Sequence, residues 1–340
     1  MKKPVEEKRE GEKNSMPKKR ILSGMRPSGK LHLGNYAGAL ENWLRLQDEY
    51  ENFFFVADWH VLTTNVEAAF KMNENTMEMV IDWLSAGIKP ENPIFIQSQI
   101  KEHAELHLIF SMLITTARLE RNPTLKEQVR DLNSENISYG HLGYPVLQAA
   151  DILMYKANLV PVGEDQVPHV EITREIARKF NSTYGPVFPE PEAKLTTFPR
   201  LPGLDGRKMG KSNDNYILMS ESEPEIYQKV KSAITDPQKV RRKDPGHPDI
   251  CNVYWYHKKF NLSEEPQIRQ DCISGVLGCV DCKKNCAKKI ADYFAPHREK
   301  RDYFENHRSE VKEIMHTGIL KAHQVAQQTM AGVHQAMKMG

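Results

Sequence analysis

The sequence predicts an α/β fold in which a doubly wound parallel sheet is followed by a helical C-terminal region. Short apolar runs alternate with stretches of helical periodicity as far as about residue 195, and helical segments without strand-like partners follow. This alternation is typical of parallel strands covered by helices on both faces. A chain of 340 residues also exceeds one ordinary core. We therefore expect a sheet domain at 20–205 and a smaller helical region at 206–340.

Four apolar runs are predicted to form the buried strands. They are Ile21-Leu22, 53–57, 94–96 and 159–162. Each run precedes a stretch with apolar residues at helical spacing. The predicted helices are 36–50, 66–86, 102–118 and 165–180. Ligands in such folds bind where strands end and helices begin, so we expect the functional residues at these junctions.

Helix signals dominate the second half of the chain. Ser222 and Glu225, with Pro224 between them, form the capping pattern that opens a helix. Two further helices are predicted over 287–294 and 307–338, and Pro296 should end the first of them.

Composition indicates a cytoplasmic protein without a membrane partner. No apolar run approaches the roughly 20 residues that cross a bilayer. Lys and Arg total 47 and Asp and Glu total 45, so net charge does not indicate a partner. Residues 1–19 mix both charge signs and contain few apolar residues, which predicts a disordered tail.

Two loops carry residues suited to a triphosphate. The first runs from Ser23 to Tyr36, between a predicted strand and a helix, where free N–H groups favour phosphate. Imidazole and amide groups at His32 and Asn35 can donate hydrogen bonds to phosphate oxygens. The second loop, residues 208–212, reads Lys-Met-Gly-Lys-Ser. Its two lysines flank a turn, which can close on a leaving pyrophosphate and then withdraw.

Together these loops resemble the signature loops of class I aminoacyl-tRNA synthetases, in the tryptophan and tyrosine branch. Residues 27–35 resemble the His-x-Gly-His loop, with Asn35 at its last position, and residues 208–212 resemble the Lys-Met-Ser-Lys-Ser loop, with Gly210 in its middle. The resemblance is strong over 20–220. It implies a Rossmann-like catalytic domain, a mobile 208–212 loop, ATP and Mg²⁺ as cofactors, and a helical anticodon-binding region.

The resemblance also assigns residues to the reaction. It implies catalytic roles for His32, Asn35, Lys208, Lys211 and Ser212. It implies ATP contacts by Gly24, Arg26, Ser28, Gly34, Gly163, Asp165 and Gln166. No protein nucleophile is required, because the substrate carboxylate attacks ATP itself and the enzyme supplies positioning and charge stabilisation.

The amino acid is predicted to be L-tryptophan. Residues 144–155 resemble the tryptophan and tyrosine branch, and residues 165–181 resemble the tryptophan enzymes. The resemblance implies an amino-acid pocket formed by His60, Gln148 and Asp151, in which the Asp151 carboxylate accepts a hydrogen bond from the indole N–H. A ring without a donor would leave that acceptor unpaired, at about 1–3 kcal/mol. Gln148 is usual in the tyrosine enzymes, so tyrosine remains the alternative.

The implied partner is tRNA(Trp), and the family is usually homodimeric. The basic run at 239–243 is a candidate tRNA phosphate contact or a solvated loop. The competing class of function is a non-catalytic RNA-binding or metal-sensing paralogue. His32, Lys208 and Lys211 argue against it, since a binding module needs no triphosphate ligands.

Five cysteines lie between 251 and 286, which indicates a metal site rather than disulfides. The proposed ligands are Cys251, Cys272, Cys279 and Cys282, with Cys286 as a possible replacement for Cys251. Four thiolates suit zinc or an iron–sulfur cluster. Resemblance to a subset of bacterial tryptophan enzymes favours a four-iron, four-sulfur cluster over zinc. The polar segment 278–284 is expected to be turn-like.

Overall fold

A five-stranded parallel sheet forms the centre of the molecule. The computed structural model describes residues 18–131, 137–195 and 201–339. The strands are β1 Arg20–Met25, β2 Glu51–Val56, β3 Ile94–Ile96, β4 Leu159–Val162 and β5 Glu192–Leu195. Their order is β3-β2-β1-β4-β5, and every pairing is parallel. The strand order reverses between β1 and β4, which is where such sheets open a ligand crevice.

The predicted α/β fold is confirmed, and the sequence missed one strand. All four predicted strands are present as β1 to β4. The fifth, β5, pairs only with β4 and has the sequence Glu-Ala-Lys-Leu, with both end residues exposed. An edge strand this short does not carry the apolar run by which buried strands are recognised.

Helices follow the strands of the first half. They are α1 Leu33–Asn35, α2 Glu41–Leu46, α3 Asp58–Leu62, α4 Met72–Ala86, α5 Glu102–Ser111, α6 Thr116–Glu120, α7 Pro123–Asp131, α8 Tyr139–Met154 and α9 Val167–Tyr184. A π-helical turn at Tyr36–Leu40 joins α1 to α2. The predicted helix at 102–118 is wrong as one element, because α5 ends at Ser111 and Thr115 caps a separate helix, α6.

Helices alone make up the described secondary structure beyond residue 222. They are α10 Glu223–Ser232, α11 Asn252–Phe260, α12 Glu265–Ile273, α13 Cys279–Tyr293, α14 Ala295–Asn306 and α15 Arg308–Met337. The predicted capping box at Ser222 and Glu225 is confirmed at the start of α10. Pro296 lies in the first turn of α14, where its missing N–H is tolerated, and the preceding helix ends at Tyr293.

The last helix returns to the sheet. Helix α15 packs on β3 at Gly318, where a Cβ would lie 2.1 Å from the carbonyl oxygen of Ile94. Only glycine allows this approach. Side chains of β2 alternate between two apolar cores, with Phe54 in one and Phe53 and Phe55 in the other. Both faces of the sheet are therefore covered.

Two further sequence predictions concern the N-terminal tail and membrane-spanning helices. Residues 1–17 of the predicted tail lie outside the described residues. Among the described helices, none is both long and apolar enough to cross a bilayer.

Candidate functional site

The first signature loop opens helix α1 with a reciprocal cap. The backbone N–H of His32 donates to Asn35 Oδ1 at 3.1 Å, and the backbone N–H of Asn35 donates to His32 Nδ1 at 3.2 Å. Because Nδ1 accepts, the neutral imidazole carries its proton on Nε2. The cap therefore makes His32 Nε2–H and the Asn35 amide N–H₂ the donors that remain for a ligand.

The His32 ring is neutral at physiological pH. Burial lowers the pKa of His32 to about 4, and the nearby ammonium groups of Lys211 and Lys208 contribute to the shift. The ring is thus a neutral hydrogen-bond donor and does not add a positive charge to the site.

The two signature loops contact each other. Met209 Sδ accepts a hydrogen bond from the backbone N–H of Gly34 at 3.2 Å. Lys211 Nζ donates to the carbonyl oxygen of Ser28. Burial lowers the pKa of Lys211, while the carboxylates of Asp82 and Glu78 oppose that shift. Residues 208–212, which the sequence placed in a separate region, therefore lie directly against the loop at 27–35.

A cavity of about 440 Å³ opens at the crevice between β1 and β4. Eight predicted site residues line it, and they come from the end of β1, from the segments that follow β1, β2 and β4, from helix α8 and from the second signature loop. They are Gly24, Arg26, His60, Gln148, Asp151, Gly163, Gln166 and Lys208. The other predicted residues, among them His32, Asn35 and Lys211, lie in the adjoining loops rather than in the cavity lining.

Asp151 is fully buried at the base of this cavity. Its Oδ2 atom accepts a hydrogen bond from His60 Nε2 at 2.7 Å. Its Oδ1 atom accepts from Gln97 Nε2 at 2.7 Å and from His103 Nδ1 at 2.6 Å. Burial would raise the pKa of Asp151, but the hydrogen bonds from His103 and His60 outweigh it and lower the pKa below its usual value. Asp151 is therefore an ionised acceptor.

Sequence reasoning missed Gln97 and His103. Both are fully buried, and His103 is joined through Nε2 to the hydroxyl of Tyr155 at 2.8 Å. Burial and the charge of Asp151 raise the pKa of Tyr155, so the phenol keeps its proton and donates. Gln97 follows the end of β3, and the rule that ligands bind at the carboxyl ends of parallel strands could have identified it.

A second series of buried hydrogen bonds orients Gln166. The Tyr144 hydroxyl lies 2.5 Å from His169 Nε2, and His169 Nδ1 lies 2.8 Å from Gln166 Oε1. Burial lowers the pKa of His169 to about 4, so its ring is neutral. Its Nδ1–H then donates to Gln166, and its Nε2 accepts from Tyr144. Gln166 thus has its oxygen engaged, and its amide N–H₂ is the donor it can offer the cavity.

Four cysteines line one small cavity beside helix α13, and they are the four predicted ligands Cys251, Cys272, Cys279 and Cys282. Burial and the neighbouring thiols raise the pKa of Cys282 to about 12. Cys286 instead packs in the apolar core, so it does not replace Cys251 around the cavity. Over the described ranges, no three His, Cys, Asp or Glu side chains are arranged to hold a single metal ion.

Two sequence predictions near the cysteine cavity are wrong: the turn-like conformation of 278–284, and the contact between Lys239 and tRNA phosphate. The segment at 278–284 is not turn-like, because Gly278 caps α13 and Cys279 begins it. Cys279 and Cys282 are three residues apart on that helix and therefore share a face. Lys239 is buried, and its ammonium donates to the carbonyl oxygen of Asp244, so it is not an exposed contact for tRNA phosphate.

Comparisons with known proteins agree on one family. The family model for class I tRNA synthetases (W and Y) matches residues 14–295. A tryptophan–tRNA ligase of Thermotoga maritima is 51% identical over 325 residues, or 94% of this chain and 99% of that protein. One from Aquifex aeolicus is 42% identical, over 94% of this chain and 100% of that protein. The crystal structure of the Campylobacter jejuni tryptophanyl-tRNA synthetase with ADP and tryptophan matches with a TM-score of 0.84 at 34% identity, covering 94% of this chain and 100% of that one.

Proposed function

This chain belongs to the tryptophan and tyrosine family of class I tRNA synthetases, and we propose that it activates L-tryptophan with ATP and transfers it to tRNA(Trp). The observation that carries the proposal is the cavity between β1 and β4. It has the buried carboxylate of Asp151 in its lining, and Lys208 of the second signature loop lines it too. One cavity thus combines an acceptor for an amino-acid side chain with a cation for a triphosphate.

Tryptophan suits the hydrogen bonds around Asp151. A carboxylate offers about four acceptor sites, and the donors His60, Gln97 and His103 use three of them. Oδ2 accepts from His60 alone among the described donors, so the remaining acceptor site is on that oxygen. An indole N–H that reached this site would occupy the fourth acceptor position of the carboxylate, whereas a phenylalanine ring has no donor and would leave that position unsatisfied.

Tyrosine is the alternative substrate, because a phenol hydroxyl can also donate to a carboxylate. Gln148 lines the same cavity and could contact that hydroxyl. The relatives with 42–51% identity are tryptophan enzymes, which favours tryptophan. Direct competition between the two amino acids decides between these alternatives.

The reaction needs positioning and charge stabilisation. The tryptophan carboxylate attacks the α-phosphorus of ATP, the bond to the bridging oxygen breaks, and pyrophosphate leaves with the electron pair. Mg²⁺ supplies charge neutralisation on the triphosphate when it is bound. Negative charge grows on the leaving pyrophosphate, and we assign its stabilisation to five residues. They are His32, through Nε2–H, with Asn35, Lys208, Lys211 and Ser212. We assign the nucleotide to Gly24, Arg26, Ser28, Gly34, Gly163, Asp165 and Gln166.

Transfer to tRNA is the proposed second step. The terminal ribose hydroxyl of tRNA attacks the adenylate carbonyl, and AMP leaves. A non-catalytic RNA-binding paralogue would not need the contact between the two signature loops that Met209 and Gly34 make. We place the reaction in the cytoplasm, with the helical region from α10 onward as the anticodon-binding part.

A second copy of the chain is the proposed structural partner. Leu108 and Met112, on and just after helix α5, are 57% and 70% exposed. The same helix contributes Ala104 and His107 to the lining of an open cavity of about 320 Å³ that also includes Trp59 and Leu62. Large apolar side chains exposed on a surface helix are a common feature of interfaces between protein chains. Light scattering should give the mass of a dimer, and Met112→Lys should shift it toward a monomer.

The cysteine cavity is proposed to hold a four-iron, four-sulfur cluster, with zinc as the alternative. Four thiols around one cavity provide the ligand set that such a cluster requires. Lys239 and Lys283 line the same cavity, and their charges would offset those of the thiolates. A role in structure or in docking tRNA is proposed, because the cavity is separate from the one between β1 and β4.

An aminoacylation assay tests the whole proposal. The protein is incubated with ATP, Mg²⁺, labelled tryptophan and total bacterial tRNA, and acid-precipitable label is counted. We expect label from tryptophan but not from tyrosine in a parallel reaction, on tRNA(Trp) alone. Charging by tyrosine would reverse the assignment of the amino acid.

A further inference from the structure

A carboxylate outside the cavity binds the backbone of the first signature loop. Asp82 lies in helix α4 and is fully buried. Its Oδ2 atom accepts a hydrogen bond from the backbone N–H of Leu31 at 2.5 Å. Leu31 immediately precedes His32, so this bond fixes the backbone at the point where the loop turns into helix α1. A charged acceptor makes it stronger than a bond between neutral groups.

The other oxygen of Asp82 belongs to an ion pair with the C-terminal helices. Arg301 of α14 is 3% exposed, and its Nη1 donates to Asp82 Oδ1 at 2.6 Å. His297, one turn earlier on the same helix, places Nε2 at 3.2 Å from that oxygen. Arg301 also donates through Nη2 to Glu78 of α4. A buried carboxylate is costly without a cation, and Arg301 supplies that cation to Asp82.

Backbone hydrogen bonds hold the first signature loop on the side opposite Asp82. The N–H of Met219 donates to the carbonyl oxygen of Leu31 at 3.0 Å, and the N–H of Leu33 donates to the carbonyl oxygen of Ile217 at 2.9 Å. Leu31 is thus clamped between the segment 217–219 and Asp82. Without Asp82, its N–H would be a buried donor that lacks its partner, and only one side of the clamp would remain.

Asp82 also lies near the second signature loop. The ammonium of Lys211 donates to the carbonyl oxygen of Ser28, three residues before Leu31. Asp82 and Glu78 oppose the effect of burial on the pKa of Lys211, which places both carboxylates within its electrostatic reach. Displacement of the loop at Leu31 would therefore move the Lys211 contact as well.

We propose that Asp82 is a positioning residue for ATP activation, and that Arg301 connects the C-terminal helices to the signature loop through it. The inference rests on the proposed function, because the reaction that it supports is the activation step. Asp82 is not among the residues that line the cavity between β1 and β4. It acts through the Leu31 backbone, which sets where His32 and Asn35 present their donors.

Glu78 provides a matched control for this role. It lies one turn before Asp82 on α4, pairs with the same Arg301 and also with Arg308 at 2.7 Å. It makes no hydrogen bond to the loop among the contacts described. Loss of either charge weakens the ion pair, but loss of the charge on Asp82 alone disturbs Leu31.

The first test compares Asp82→Asn with Glu78→Gln. Residue 82 must accept from both Leu31 and Arg301, and an asparagine has one acceptor oxygen, which the charged Arg301 will take. We expect Asp82→Asn to weaken ATP binding about tenfold in calorimetry, to lower kcat, and to leave tryptophan binding within about twofold. Glu78→Gln, which also removes a charge near Lys211, should lower the Tm by a similar amount and weaken ATP binding by no more than about twofold. Equal ATP binding by the two variants would overturn the proposal.

Hydrogen exchange tests the contact without turnover. The Leu31 amide, followed by mass spectrometry of peptides over 28–34, should exchange about tenfold faster in Asp82→Asn than in the wild type and in Glu78→Gln. Arg301→Lys keeps the charge but lacks the planar fork that pairs with Asp82 and Glu78 together. It should change exchange and ATP binding in the same direction by a smaller amount, and it replaces Asp82→Asn if that variant does not fold. Unchanged Leu31 exchange would overturn the proposal. A wild-type chain that binds ATP but activates no amino acid would instead contradict the proposed function.

Discussion

The imidazole of His60 lies 2.7 Å from the carboxylate of Asp151, at the base of the cavity between β1 and β4. His60 follows the end of β2 and Asp151 lies within α8, so the pair joins two elements that are 91 residues apart in the chain. Asp151 thereby receives hydrogen bonds from three side chains, and its remaining acceptor site lies on Oδ2, the oxygen that also accepts from His60.

Replacement of Asp151 should affect tryptophan and not ATP. Asp151→Asn keeps the volume of the side chain but presents an N–H₂ group to donors. We expect tryptophan binding to weaken about tenfold to a hundredfold, and ATP binding to stay within about twofold. Calorimetry with each ligand measures this. Asp236→Asn, which alters a buried carboxylate beside the cysteine cavity, should change neither. Equal losses for both ligands in Asp151→Asn would mean that Asp151 supports the fold instead.

Replacement of Lys211 should lower the rate of adenylate formation more than it weakens the binding of tryptophan. The charge on pyrophosphate grows in the transition state, so Lys211→Ala removes an interaction that is strongest there. We expect kcat for adenylate formation to fall about a hundredfold, with the tryptophan KM within about threefold. Single-turnover kinetics separates the two effects. Lys194→Ala, which removes a lysine of β5 that contacts Tyr50, should be close to wild type. A wild-type rate in Lys211→Ala would make the 208–212 segment an ordinary turn.

Acid should destabilise the protein through His169. The folded pKa is about 4 and the ordinary value is 6.5, so between these values the unfolded chain binds the proton and the folded chain does not. Stability therefore falls as pH decreases from 6.5 toward 4, by about 1.4 kcal/mol per pH unit from this residue. Urea unfolding of wild type and His169→Gln at pH 7, 6 and 5 tests this. The variant should show a slope smaller by that amount, and identical slopes would refute the assignment.

The cysteine cavity should bind iron through four of the five cysteines. Anaerobically purified wild-type protein should be brown and contain about four irons per chain. Cys282→Ser should lose the colour and the iron. Cys286→Ala should keep both, because Cys286 packs in the core rather than around the cavity. A colourless protein with one zinc would refute the iron assignment and retain the site.

Local patterns predicted four of the five described strands and the signature loops, but not the contacts that join distant parts of the chain. The β1 strand and the loop after it are contiguous in sequence, so periodicity and glycine placement identify them. Arg301 and Asp82 are 219 residues apart, and neither lies in a pattern that indicates the other. The clustering of cysteines predicted a metal site. Its four proposed ligands line one cavity, whereas the position of Cys286 outside that cavity depends on how α13 packs. No sequence pattern distinguishes His103 from the other residues of helix α5, and only the fold places it against Asp151.

The most direct test of the central claim is exchange of labelled pyrophosphate into ATP, measured with tryptophan, tyrosine and phenylalanine in parallel. This reaction reports adenylate formation alone and requires neither tRNA nor the cysteine site. If the Asp151 pocket selects an indole donor, exchange should depend on tryptophan, with tyrosine and phenylalanine at background. Exchange driven mainly by tyrosine would contradict the assignment of the amino acid, and no exchange with any of the three would contradict a synthetase activity.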